Sequence, residues 1–179
     1  MRCIKFGQMA LIVLALTVNP ALAASSGKHP PFEITGQVVK NHDGDTIKLQ
    51  TEDRGLLTIR LSGADTPETG QAYWRAARGF LRDLVAGQLT TAWCYKQDPH
   101  GREVCHVRVG DRDVSEALIA GGYGWYARMF AAELSTAQQR AYDAAENSAR
   151  TGQSGLWQDE EPMPPWTCRK IRKAGQVCR

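Results

Sequence analysis

Carboxylate side chains occur in two short groups that could bind a cation. Asp45 belongs to the tetrapeptide DGDT, and Asp65, Thr66 and Glu68 belong to the tetrapeptide DTPE. Asp45 opens a predicted strand on its apolar side, where a carboxylate is costly unless a cation or an arginine pairs with it. Hard cations such as calcium prefer oxygen ligands, including backbone carbonyls. Taken singly, DGDT is equally well a polar hairpin turn, and DTPE is more simply the acidic N-terminal end of the next helix.

Two arginines have the chemistry to bind a phosphate group. Arg60 lies on the polar side of a predicted strand, and Arg102 directly follows the glycine of a predicted hairpin turn. A guanidinium offers two parallel donors to phosphate oxygens. Each arginine alone is more often a surface charge, so a phosphate site requires that the fold bring these residues together.

Strands and helices alternate in a defined order along the chain. Strands are predicted for residues 32–39, 45–50, 57–61, 89–95 and 104–109, because apolar side chains alternate there between turn signals such as Asp-Gly. Helical spacing predicts helices over residues 73–85, 113–120 and 134–150. This order fits a five-stranded Greek-key barrel of the OB type with three helices, an α+β fold that is mainly β. An open α+β sheet fits the same elements less well.

The first residues predict export. A basic start precedes the apolar run at residues 9–18, and a small-x-small site ends at Ala23, as in a secretory signal peptide. The alternative, a membrane anchor, requires roughly 20 apolar residues. We therefore expect a signal peptide at residues 1–23, a flexible lead-in at 24–31, a folded domain at 32–158, and a proline-rich, basic tail at 159–179. The expected mature protein is secreted or periplasmic, monomeric and free of membrane.

Cysteine usage agrees with an oxidising compartment. Four cysteines follow the predicted signal peptide, which allows three pairings. We favour Cys94–Cys105 and Cys168–Cys178 because each pair is close in sequence. Free buried thiols are the alternative, and a metal site is disfavoured because no CxxC spacing occurs.

The charge balance limits how the protein could attract a polyanion. The full chain has a net charge of +3, and removing residues 1–23 takes away two basic residues and no acid, which leaves +1. Attraction of nucleic acid would therefore depend on local patches. The basic tail is one such patch, although a solvated, flexible end is the simpler interpretation of it.

The combination of motifs is more specific than its parts. DGDT, then R-L-x-x-x-D-T-P-E, a helix, D-x-x-G-R at a hairpin, G-x-x-W and a final GLW follow one another between residues 43 and 157. In order and spacing they resemble the staphylococcal nuclease family over about residues 34–157. The resemblance implies a secreted calcium-dependent nuclease that hydrolyses DNA, RNA or both and leaves 3′-phosphate ends. The groove of an OB-type barrel is also expected to accept single-stranded or frayed substrate most readily.

The resemblance assigns roles to six residues. Asp45 and Asp65 correspond to the carboxylates that bind one Ca²⁺, and Thr66 corresponds to a ligand through its backbone carbonyl. Glu68 corresponds to the acid that activates or orients the attacking water. Arg60 and Arg102 correspond to the arginines that contact the scissile phosphate. These roles match what diester hydrolysis needs, namely charge neutralisation, an in-line water and a nearby base.

Two positions depart from the family pattern. His100 and Arg128 stand where the best-known member has tyrosines on the substrate side, although Phe130 keeps an aromatic ring nearby. These changes put substrate affinity in question more than activity. Two other functions stay open, a non-catalytic module that binds nucleic acid or protein, and an accessory protein of envelope or exopolysaccharide production. Retention of Arg60, Glu68 and Arg102 argues against the first.

Overall fold

A computed structural model describes residues 29–178. The predicted signal peptide and most of the lead-in lie outside the described residues. Within them, no helix combines the length and the apolar character that crossing a bilayer requires.

Five strands form a closed barrel. They are β1 (Phe32–Asn41), β2 (Thr46–Thr51), β3 (Gly55–Leu61), β5 (Leu89–Gln97) and β6 (Glu103–Val109). Three two-residue strands accompany them, β4 (Ala64–Asp65), β7 (Arg112–Asp113) and β8 (Trp125–Tyr126). The sheet runs in the order β3-β2-β1-β5-β6-β7, and parallel pairing of β3 with β6 closes it. The predicted five-stranded OB-type barrel is confirmed.

Alternation along the strands fills the barrel with aliphatic side chains. Ile47 and Leu49 of β2 pair with Ile59 and Leu57 of β3, and the first three are fully buried. Burying such side chains contributes about 1.5–3 kcal/mol each. Cys94 and Cys105 face each other across β5 and β6 and form a disulfide inside this core.

Helices cover the barrel at the predicted positions. They are α1 (Trp74–Val85), α2 (Val114–Ala120) and α3 (Thr136–Thr151). Asp113 caps α2 by accepting a hydrogen bond from the Glu116 backbone, and Ser135 with Gln138 forms a capping box on α3. The three predicted helices are confirmed, with boundaries shifted by one or two residues.

The GLW segment, residues 155–157, closes the domain. The backbone N–H of Leu156 donates to the Gly122 carbonyl at 2.8 Å, so the chain after α3 lies directly on the chain after α2. A side chain at Gly122 has no room, because its Cβ would lie 2.0 Å from the Ser154 carbonyl oxygen. Leu156 and Trp157 are buried beside Trp125.

The basic tail differs from the flexible end that its composition suggests. Residues Pro165–Lys173 form a fourth helix, α4, which begins with proline at its first turn. A disulfide joins Cys168 to Cys178, as favoured from the sequence, and Cys168 is fully buried. Trp166 packs edge-on against Trp125, with ring centroids 6.3 Å apart. Composition predicted charge and solvation, but the disulfide and these contacts fix the tail on the domain.

Candidate active site

One pocket of about 760 Å³ collects most of the residues singled out in the sequence. Asp45, Arg60, Asp65, Glu68 and Arg102 all line it. They come from the turn before β2, from β3, from β4 and the loop after it, and from the hairpin between β5 and β6. The closure of the barrel by β3 and β6 is what brings the hairpin arginine beside the two acidic motifs.

Asp45 is fixed by Thr66. Its Oδ2 accepts hydrogen bonds from the Thr66 backbone N–H at 2.9 Å and from the Thr66 hydroxyl at 2.8 Å. Asp45 and Thr66 are both buried. Because a buried carboxylate needs partners, this pair ties DGDT to DTPE and holds the two acidic motifs in one place.

Arg60 connects the two aspartates. Its Nη1 forms an ion pair with Asp45 Oδ1, and its Nη2 donates to Asp65 Oδ1 at 2.9 Å. The position faces away from the barrel core, yet Asp45 and Asp65 cover it. Burial lowers the pKa of Arg60, and the nearby Asp65 carboxylate opposes that shift. The Arg60 guanidinium nevertheless stays charged, because an arginine side chain is not deprotonated in proteins.

Arg102 is oriented by Asp98. The Arg102 Nε donates to Asp98 Oδ2 at 2.7 Å, and Asp98 Oδ1 accepts the backbone N–H groups of His100 and Arg102. Burial raises the pKa of Asp98, but these hydrogen bonds outweigh it, so the pKa is lowered overall. Arg102 Nη1 also donates to the Thr46 hydroxyl at 3.0 Å. The sequence placed Asp98 in the motif without a role, and the structure makes it the residue that holds the arginine.

A third arginine enters the site from the tail. Arg169 of α4 donates through Nη1 to Asp65 Oδ1 at 3.1 Å and to Glu68 Oε1 at 2.6 Å, and through Nη2 to Asp65 Oδ2 at 2.7 Å. Its pKa is raised, mainly by the hydrogen bonds to Asp65. Arg169 could not be singled out from the sequence. Its only signal was the pair of cysteines flanking the basic tail, which indicates a fixed segment.

The oxygen donors at the pocket suit a hard cation. Asp45 and Asp65 supply carboxylate oxygens, the ligand type that Ca²⁺ prefers. Over residues 29–178, no group of three or more His, Cys, Asp or Glu side chains converges as a metal cluster. A cation held here would therefore need further oxygens, such as the backbone carbonyl of Thr66 or phosphate oxygens of a substrate.

The two departures from the family pattern occupy different environments. His100 lines the pocket, as does Phe130. Arg128 instead bonds Glu146 at 2.6 Å and Asp143 at 2.5 Å on α3. Of the two positions, His100 is therefore the one that could meet a substrate directly.

Comparison with known proteins identifies relatives. Residues 58–159 match the family described as staphylococcal nuclease homologue. An uncharacterized endonuclease of Escherichia coli O157:H7 is 32% identical over 138 residues, which cover 76% of this chain and 86% of that protein. A micrococcal nuclease of Shigella flexneri is 29% identical over 150 residues, which cover 79% of this chain and 83% of that protein. A staphylococcal-like nuclease of Arabidopsis thaliana is 31% identical over 131 residues, 72% of this chain and 39% of that protein.

Proposed function

We propose that this chain, which belongs to the staphylococcal nuclease family, is a calcium-dependent nuclease that hydrolyses phosphodiester bonds of DNA or RNA. Family membership and the nuclease names of its relatives support hydrolysis of nucleic acid. The proposal goes further than family membership and the relatives' names in three respects. These are dependence on Ca²⁺, a preference for single-stranded substrate and the formation of 3′-phosphate products.

One observation carries the proposal. The three predicted catalytic residues Arg60, Glu68 and Arg102 line the same pocket as two of the three predicted cation ligands, Asp45 and Asp65. A module that only binds nucleic acid needs cationic side chains, but it has no need of three carboxylates beside a phosphate site. Their convergence favours hydrolysis over binding alone.

The proposed roles follow from charge and position. Asp45, Asp65 and the Thr66 carbonyl would hold one Ca²⁺, which supplies positive charge to the scissile phosphate. Arg60 and Arg102 would bind phosphate oxygens and stabilise the charge that develops on them. Thr66 and Asp98 would keep Asp45 and Arg102 in place.

Glu68 would act on the attacking water. It accepts a proton from the water as the water oxygen bonds to phosphorus and the P–O5′ bond breaks. The phosphate then stays on the 3′ side, the 5′ oxygen takes up a proton from solvent water, and Glu68 returns the proton that it accepted to solvent. General-base catalysis of this kind contributes about 10²–10⁴-fold in rate.

The test is a Glu68→Gln variant compared with Glu52→Gln, which removes one charge from an exposed turn. Hydrolysis of single-stranded DNA in Ca²⁺ should fall at least about a hundredfold in E68Q, while binding of the DNA measured by fluorescence anisotropy persists. E52Q should match the unmodified protein in both assays. Undiminished turnover in E68Q would remove Glu68 from the mechanism.

We also propose that the protein is exported. Two disulfides are typical of oxidising compartments, and the predicted signal peptide ends near Ala23. N-terminal sequencing of the protein recovered from the periplasm and the medium would test this. A chain beginning near residue 24 is expected, and an intact chain confined to the cytoplasm would contradict it.

A further inference from the structure

The C-terminal helix α4 is docked beside the catalytic acids. The Arg172 side chain donates to the backbone carbonyl of Thr69 at 2.7 Å, and the Gln71 side chain amide donates to the carbonyl of Met163. The Cys168–Cys178 disulfide ties the end of the tail back to α4. These contacts attach α4 to the loop that begins at Glu68.

This docking brings Arg169 onto two acids that the proposed mechanism uses. Its guanidinium donates to both carboxylate oxygens of Asp65 and to one oxygen of Glu68. Side chains of Arg169 and Asp65 are 40% and 4% exposed, so the contact runs from the pocket rim to its floor. Charge-assisted hydrogen bonds of this type are about twice as strong as neutral ones.

Such a contact opposes cation binding. Both oxygens of Asp65 are engaged by a positive group, and a divalent cation would need at least one of them. Two positive charges at the same carboxylate also repel each other, and the repulsion is stronger where protein excludes water. A cation that binds Asp65 must therefore weaken or displace the Arg169 contact.

We propose that Arg169 is an internal competitor for the divalent cation, and that it sets the calcium affinity of the site. It acts through Asp65 and Glu68 and is a positioning residue. The inference rests on the proposed function, because it treats Asp65 as a calcium ligand. When calcium binds, Arg169 leaves Asp65 and its charge becomes available at the pocket rim.

The inference is tested by calorimetric titration with Ca²⁺, in the absence of nucleic acid, of the oxidised protein that begins near residue 24 and includes the whole tail. The variants are Arg169→Gln and Lys170→Gln. Lys170 is the next residue of the same helix, is exposed, and carries the same charge, so K170Q controls for the general loss of positive charge. Loss of a half-exposed network of three hydrogen bonds should tighten Ca²⁺ binding by about tenfold in R169Q. K170Q should stay within about twofold of the unmodified protein.

A second measurement uses thermal unfolding. Because a ligand stabilises the folded state according to its concentration relative to Kd, Ca²⁺ should raise the Tm of R169Q more than that of the unmodified protein. Equal or weaker Ca²⁺ binding by R169Q would overturn the inference and leave the nuclease function standing. Failure of all three proteins to bind Ca²⁺ would instead overturn the calcium-dependent function, and the inference with it.

Discussion

Gly44 offers a sharp test of how the site is assembled. A Cβ built on Gly44 would lie 2.6 Å from the Thr66 hydroxyl oxygen, 2.8 Å from Thr66 Cβ and 3.0 Å from Ala77 Cβ. Gly44→Ala should therefore push Thr66 away, and overpacking of this kind costs about 1–3 kcal/mol of stability. Because Thr66 holds Asp45 through two hydrogen bonds, the displacement reaches a predicted calcium ligand. A misplacement of about 1 Å at a reacting centre can cost about a hundredfold in rate.

The matched control is Gly79→Ala. Gly79 lies inside α1, and its added Cβ would meet no atom within 4 Å. This variant should gain about 0.5–1 kcal/mol, since alanine is the better helix former. The assays are urea unfolding and hydrolysis of single-stranded DNA in Ca²⁺. If G44A proved as stable and as active as G79A, the close contact between the two acidic motifs would not matter, and the reasoning would be refuted.

Two further predictions concern stability. Replacing both Cys94 and Cys105 by alanine should cost about 3 kcal/mol in urea unfolding, because the bond spans 11 residues and its loss frees the unfolded chain; a loss below about 1 kcal/mol would contradict this. Burial lowers the pKa of the His106 side chain below its ordinary value of 6.5, so the unfolded chain binds a proton more readily than the folded protein does. The free energy of unfolding therefore keeps its full value above pH 6.5 and decreases as the pH falls below it. His106→Gln should therefore lose less stability than the unmodified protein between pH 7.5 and pH 5. If the free energy of unfolding depended on pH identically in the two proteins, the effect would be excluded.

The fold could be predicted because its signals are local. Alternation of apolar side chains located the strands, and glycine and aspartate located their turns. The Cys94–Cys105 bond could be favoured because the two cysteines are close in sequence. Register irregularities, such as the shift between Val38 and Lys40 in β1, could not be predicted, because they depend on how neighbouring strands pack.

Residues that line the pocket could be singled out in the sequence where a compact motif contains them, but not where only tertiary contacts bring them there. Asp45, Asp65 and Glu68 belong to compact motifs that can be recognised in the sequence alone. Arg169 lies 104 residues from Asp65, and nothing in a run of basic tail residues distinguishes the one that enters the pocket. Its position depends on the docking of α4, which involves a disulfide and side chains from separate parts of the chain.

Only part of the role of Arg60 could be predicted from the sequence. Periodicity placed it on the polar side of β3, where an arginine is expected to face solvent. Folding covers that position with Asp45 and Asp65, and Arg60 joins both. A single strand cannot reveal such a pairing, because the two acids reach Arg60 from a turn before β2 and from β4.

The pocket is proposed to hydrolyse nucleic acid with bound calcium. The most direct measurement is release of acid-soluble nucleotides from single-stranded DNA by the purified, oxidised protein, first with Ca²⁺ and then with excess chelator. We predict release with Ca²⁺ and none with chelator. No release in Ca²⁺ by a folded, oxidised protein would contradict the nuclease function, and release that continues in chelator would contradict the role assigned to calcium.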